Sequence, residues 1–391
     1  MPPLRWKLSN KCTLPIGLDI GASGVKALQL RSTPRGYEVV AASAAPIERS
    51  ATGPLPEPGA IEQAIRLVLK AGAFRGRECV CALPPSALML RAVRLPSMAD
   101  EELDKAAVWE ASDRFGMPPE QLQVDWIRAG TVTQADEVRE EIVLVAVPRT
   151  VSETCVDAVM RAGLRPLACD ASFAAVARAL TRSLRRQTDS SVVRMLIDVG
   201  TDGTSVMFTQ GRGLTFVKYI ALGGAKLQEA VAAALKLAPD AAAHLRQARL
   251  RGVDSGGEVV DRRVEQAVFE AQRPLLHDLA NEAALCQRYH GVTFRTGRPE
   301  CVLLTGGNAN EPHLVQALSE ALKAEVVIAN PLEQVDISTS ASALDRRTTD
   351  WNRWTAALGL SLRAEEAPRT QAGSAGNTPT TGAAAPRKEA A

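Results

Sequence analysis

Hydrophobic and polar positions along the chain alternate between two periods, and the alternation repeats. The stretch "IGLDIGASGVKALQL" (Ile16 to Leu30) is apolar on both sides of a small-residue turn, and "GYEVVAASAAP" follows as another Val- and Ala-rich run. Short apolar runs bounded by turn residues predict strands. "TGPLPEPG" then breaks the chain with Pro and Gly. Beyond it Ile61, Ile65, Val68 and Leu69 recur at helical spacing, with Gly72 near the helix end, and "ECVCALP" returns to strand character. The first segment therefore reads β-β-β-α-β.

The same order comes back near residue 194. "RMLIDVGTDGTSVMFTQGRGLTFVKYIALGG" predicts three strands, and Gly223-Gly224 opens the helix "AKLQEAVAAALKL". After further helices, "ECVLLTGGNANEPHLVQALSEALKAEVVIANP" reads strand, Gly-rich turn, helix, strand. Both halves end their first strand in the pattern I/L-D-I/V-G, at Asp19 and at Asp198. A duplicated unit explains this better than any single motif does.

The predicted organisation has a first half over 14–84, an inserted α+β segment over 85–165 and a return to the first half over 166–190. The second half covers 191–345, a helix at 346–363 packs on the first half, and a disordered Pro/Ala/Gly/Thr-rich tail covers 364–391. The insertion carries "ADEELDKAAVWEASDRF", at least two strands, and "TVSETCVDAVMRAG". Trp109 in its first helix is expected to pack in a core or to line a partner groove.

Asp19 has two readings on its own stretch. It is either a turn cap in an ordinary β-hairpin or part of a phosphate-holding turn. In the second reading Gly21, Ala22, Ser23 and Gly24 offer backbone N–H groups, and Lys26 offers a cation. Asp198 favours the second, since Gly200, Thr201, Gly203 and Thr204 stand behind it in the matching place. Two such hairpins facing across a cleft would hold a polyphosphate, and their carboxylates a hydrated Mg²⁺. Gly306, Gly307 and Asn308 form a third turn between a buried strand and a helix. No G-x-x-x-x-G-K-[ST] occurs, and the glycines are wrongly spaced for a dinucleotide fold.

Three such turns in this order resemble the nucleotide-binding set of actin, hexokinase and the heat-shock chaperone ATPases. The chain is further similar to the PilM family of type IV pilus assembly through "RAVRLPSMADEELDKAAVWEASDRFGMPPEQLQVDW", "VLVAVPRTVSETCVDAVMRAGLRPLACDASFAAVARAL", "NPLEQVDIS" and "WTAALGLSLR". The resemblance implies an α/β, actin-like (ribonuclease H-like) fold with duplicated halves around a nucleotide cleft. It implies ATP and Mg as cofactors. It also implies a groove beside the inserted subdomain that takes the cytoplasmic N-terminal peptide of PilN, a single-span inner-membrane protein. Other pilus platform proteins, motor ATPases and self-association are further expected contacts. The implied place is the cytoplasm, peripheral at the inner membrane through partners.

Two positions depart from that family. Its "AE..K"-like helix, which faces the nucleoside, is replaced by "DAAAHLRQARL", with Ala243 and Arg246. Arg246 is expected to keep the cationic role toward the nucleotide. Lys226 either strengthens phosphate binding or is a solvated helix residue. For hydrolysis Asp198 is the leading candidate to position the attacking water, with Asp202 second. Slow turnover at most is expected.

Composition narrows the alternatives. A net charge of +2 and 4% aromatics argue against a nucleic-acid binder. No run reaches membrane-spanning length, and the N-terminus has no apolar core of signal-peptide length. The seven cysteines are scattered without C-x-x-C and are expected to be buried and structural. The four histidines lack metal-ligand spacing. Arg182, Arg185 and Arg186 suit a helix C-terminus, with weak contact to anionic lipid as the other reading. An FtsA-type membrane-associated cell-division protein would need an amphipathic membrane helix, absent from the tail. A kinase on this fold would need a substrate pocket with a catalytic base.

Overall fold

The computed structural model describes residues 12–47, 55–134, 137–250, 262–337 and 350–365. The predicted tail lies outside these, apart from its first two residues.

The first sheet has the order β14-β3-β2-β1-β4-β8. Its strands are β1 (Cys12–Gly21), β2 (Gly24–Thr33), β3 (Gly36–Pro46), β4 (Glu78–Leu83), β8 (Arg165–Ala171) and β14 (Val335–Asp336). β1 and β2 form a hairpin in which Asp19 faces Lys26 and Gly21 faces Gly24. β4 runs parallel to β1, so the chain crosses over through α1 (Pro58–Ala71). This helix buries Ile61, Ala64, Ile65 and Val68, the stripe that the sequence spacing predicts.

The second sheet has the order β11-β10-β9-β12-β13. Its strands are β9 (Val193–Val199), β10 (Thr204–Gln210), β11 (Gly213–Ile220), β12 (Cys301–Thr305) and β13 (Val326–Ile328). Here β9 and β10 are antiparallel while β12 runs parallel to β9, repeating the β1–β2–β4 plan. The second half carries α5 (Gly224–Leu235), α6 (Pro239–Leu250), α7 (Arg262–Phe294) and α8 (Leu314–Leu322). The repeat that the sequence shows in Asp19 and Asp198 is thus a repeat of topology.

A third sheet, β5-β7-β6, comes from the inserted segment. It comprises β5 (Met89–Leu95), β6 (Leu122–Gln134) and β7 (Glu137–Pro148), with α2 (Asp100–Phe115) packed on it. α3 (Arg149–Arg161), within the predicted insertion, packs instead on the first sheet. Its Cys155, Ala158 and Val159 share a core with Ile61, Ile65, Cys79 and Cys81. The opposite face of that sheet is covered by α4 (Ser172–Thr181) and α9 (Thr355–Ser361). The packing there is backbone to backbone: a Cβ on Gly359 would stand 1.8 Å from the Ala175 carbonyl oxygen, and one on Gly17 2.0 Å from that of Ala357. A central cluster of Val143, Phe173, Val176, Leu196, Met207 and Val217 joins all three sheets through α4.

Two expectations are corrected. Of the two readings for Trp109 the core one falls: it is 70% exposed, because α2 buries Leu103, Ala107 and Ala111 and Trp109 lies on the other face. The cysteines are not all buried. Cys79, Cys81, Cys155 and Cys286 are, Cys12 and Cys301 are partly so, and Cys169 is exposed on the edge strand β8. Burial pushes the Cys79 thiol up to about 12, which keeps it protonated and inert. Among the described residues no cluster of His, Cys, Asp and Glu suits a metal through three or more side chains. No helix there is long and apolar enough to cross a membrane. Arg182 follows α4 and donates to the Ala179 carbonyl at 2.8 Å, the C-terminal cation that the sequence implies.

Candidate functional site: a cleft between two hairpins and a groove beside the insertion

The two Asp-bearing hairpins face each other. The Ser23 and Thr201 hydroxyls lie 2.8 Å apart, across 178 residues of sequence. Their carboxylates sense each other as well. Asp198 is pushed up from 3.8 to about 6, first by burial and then by the Asp19 charge, with Lys26 pulling the other way. Lys26 pairs with Asp19 at 3.2 Å, so the first hairpin carries its own counter-ion.

The third turn closes the same place. Gly306 adopts a φ of +98°, and a Cβ there would stand 2.4 Å from Asp198 Oδ1. Only glycine fits both the conformation and the space. Gly307 is exposed with open space around its Cα, so it carries no such demand. Asn352, which the sequence reading passed over, pins the turn. Its side chain donates to the Gly306 carbonyl at 3.0 Å, and its own carbonyl accepts from the Thr305 hydroxyl at 3.0 Å.

Other predicted residues sit here with their groups engaged. Gly21 and Gly24 do not use positive φ; Gly24 is required because Ala45 O would lie 2.8 Å from a Cβ. Ala22 and Ser23 form the two-residue tip of the hairpin. The Gly200 N–H donates to the Gly203 carbonyl at 2.9 Å. Gly203 is needed by packing, since a Cβ would meet the Tyr219 ring at 2.4 Å. Thr204 is buried and its hydroxyl donates to the Leu222 carbonyl at 2.7 Å. Gly223 backs directly onto the Gly200–Gly203 turn. The first amides of α5, Gly224 and Ala225, donate to the carbonyls of Gly200 and Thr201 at 2.9 and 2.8 Å. Lys226 is exposed on the first turn of α5.

Arg246, expected to keep a cationic role toward the nucleotide, is buried and engaged with protein partners. It is 4% exposed, donates to the Gly224 carbonyl at 2.6 Å and to Asn308 Oδ1 at 3.2 Å, and pairs with Glu311. Glu311 and Arg249, both buried, are partners that nothing local in the sequence announces.

A second feature lies between the inserted sheet and the first half. A cavity of about 470 Å³ is bordered by β6, the end of β8, and α4, a size usual for ligand clefts of about 300–1,000 Å³. Its walls mix apolar side chains such as Trp126, Ile127 and Phe173 with Asp125, Asp170, Arg178 and Arg212. Arg178 and Asp170 form a buried pair at 3.0 Å, and Arg363 reaches the same carboxylate at 3.6 Å. β6 and β8 are both edge strands of their sheets. The inserted sheet is also tied to the second half, where Tyr289 of α7 donates to Glu141 at 3.0 Å.

Duplicated β-β-β-α-β units, facing Asp-bearing hairpins and a glycine turn between β12 and α8 define the actin-like ATPase fold. The chain superposes on a solved PilM–PilN type IV pilus biogenesis complex with a TM-score of 0.74 and 24% identity, over 90% of this chain and 98% of that one. It also superposes on the ethanolamine utilization protein EutJ from Carboxydothermus hydrogenoformans, with a TM-score of 0.51 and 14% identity over 90% and 89% of the two chains. Residues 17–365 match the family described as type IV pilus assembly protein PilM, and the chain belongs to that family. The cell-division and kinase readings gain no support from these matches.

Proposed function

We propose that the chain is an ATP-binding scaffold of type IV pilus assembly that docks the N-terminal peptide of a PilN-like single-span protein in the groove beside the inserted sheet. The observation that carries this is the cavity itself. It joins an apolar floor to charged groups of both signs, between two edge strands able to pair with an extended segment. Such a protein would sit in the cytoplasm and reach the inner membrane through its partner.

The cleft is assigned to Mg·ATP. The residues there fit a hydrated cation: two carboxylates from facing hairpins, close enough for one to raise the other's pKa. Mg²⁺ keeps several waters and takes few protein ligands, which suits a two-carboxylate site. Asp19 and Asp198 would hold it, and bound there it would offset phosphate charge. Ser23 and Gly307 are exposed and Thr201 partly so, and the two hydroxyls, now bonded to each other, would be the groups to turn toward a phosphate. Asp198, its carboxyl pushed up to about 6 and set between the two hairpins, is the candidate to orient an attacking water and accept its proton.

Titration of the full chain with a labelled synthetic peptide, copied from the N-terminus of the PilN-like protein encoded with it, tests the docking. Saturable binding in roughly the micromolar range is expected. No binding by the folded chain at high micromolar peptide overturns the docking proposal.

A further inference from the structure

Deeper along the cleft, past the two hairpins, lies a buried polar network that the proposed phosphate site does not use. Asn308 connects the two regions. Its Nδ2 donates to the Gly200 carbonyl of the second hairpin turn at 3.1 Å, and its Oδ1 accepts from Arg246. Gly224 leaves room for this: a Cβ there would meet Asn308 Oδ1 at 2.2 Å. Arg246 also holds the Gly224 carbonyl and Glu311, and Glu311 is shared with Arg249 at 3.6 Å. Arg249 is held in turn by Glu265 at 3.0 Å and Gln272 at 3.2 Å. The network thereby clamps α6 onto α5, α7 and the Gly306–Asn308 turn.

We propose that the Arg246–Glu311 pair is a latch that fills the nucleoside end of the cleft, so that a nucleotide enters only by displacing Arg246. This rests on the nucleotide reading of the cleft. A ligand whose phosphates meet the Gly200–Thr204 turn has Asn308 as its next neighbour, and Arg246 stands directly behind Asn308. Both polar ends of Asn308 and both terminal nitrogens of Arg246 are already spent on protein partners. A nucleoside therefore gains contacts there only by breaking existing ones, inside a site where charge pairs are costly to separate. The latch sets affinity and makes α6 the element that moves on binding.

Two variants and two probes test it, with the full chain in calorimetric titrations and folding checked by circular dichroism. Arg246→Ala removes the latch and leaves Glu311 beside Arg249. Glu311→Gln keeps the shape and removes the charge. Either variant is expected to bind Mg·ATP about tenfold or more tightly than the unaltered chain, with the affinity for Mg·tripolyphosphate, which has no nucleoside, unchanged. ATP binding by a folded variant alone counts the same way. Weaker or unchanged ATP binding in the folded variants overturns the latch. So does an equal gain for tripolyphosphate. If neither probe binds any of the three chains, the nucleotide reading of the cleft falls, and the latch with it. Should Arg246→Ala fail to fold, Glu311→Gln decides.

Discussion

Replacing Ala174 by tryptophan is expected to weaken the proposed peptide docking by about a hundredfold or more and to leave the chain folded. Ala174 lies on α4, is partly exposed, and lines the cavity beside the inserted sheet. Its neighbours on the helix, Phe173, Ala175 and Val176, are the ones committed to the core. Ala174 packs with one side against the central core and borders the cavity with the other, so a tryptophan there is to be accommodated on the cavity side, where overpacking costs least. It takes up a large part of a cavity of about 470 Å³, and docked peptides depend on a few fully seated anchors. Losing one or two anchors costs about 3 kcal/mol, which is the stated hundredfold. The thermal midpoint checks the fold. Peptide affinity equal to that of the unaltered chain places the docking site elsewhere.

The second large effect concerns Asp198. Its carboxyl is pushed up from 3.8 to about 6, first by withdrawal from water and second by the nearby Asp19 charge. A raised acid pKa means the folded state holds its proton more tightly than the unfolded one. Stability from this group is then fully present below about pH 4 and is lost as the pH rises through 6. At about 1.4 kcal/mol per unit, the shift amounts to no more than about 3 kcal/mol. Asp198→Asn removes the charge and keeps the shape. Without nucleotide it should be more stable than the parent by up to that amount at pH 8, and equal to it near pH 4. Urea denaturation of both chains across this range reads the difference, and parallel pH profiles contradict the assignment. The same variant is expected to lose Mg·ATP binding, which would make the destabilising carboxylate the one the proposed ligand needs.

The hairpins were legible because their signals are local. An apolar strand, a small-residue turn and a second strand lie within about fifteen residues, and the copy at Asp198 shows that the pattern is a unit. The facing of Ser23 and Thr201 follows from duplication, which sequence repetition reveals even at a separation of 178 residues. The interior of the cleft was harder. Arg246 and Glu311 are 65 residues apart, and each looks like a solvated charge on its own segment. Only the fold shows that they are buried together. The core reading of Trp109 fails for a related reason: α2 turns a face of leucine and alanines inward, so its largest apolar side chain is not its core side chain. Asn352 carries no local signal and α3 reads as part of the insertion, because what each packs against is set by the three-sheet arrangement and not by neighbouring residues.

Hydrogen–deuterium exchange of the full chain with and without the PilN-like N-terminal peptide decides whether the groove is the docking site. Docking in the groove predicts slowed exchange over 122–127 of β6 and 165–178 of β8 and α4, with the hairpins at 19–26 and 198–204 unchanged. Protection confined to the hairpins, or to α6 and α7, would contradict it.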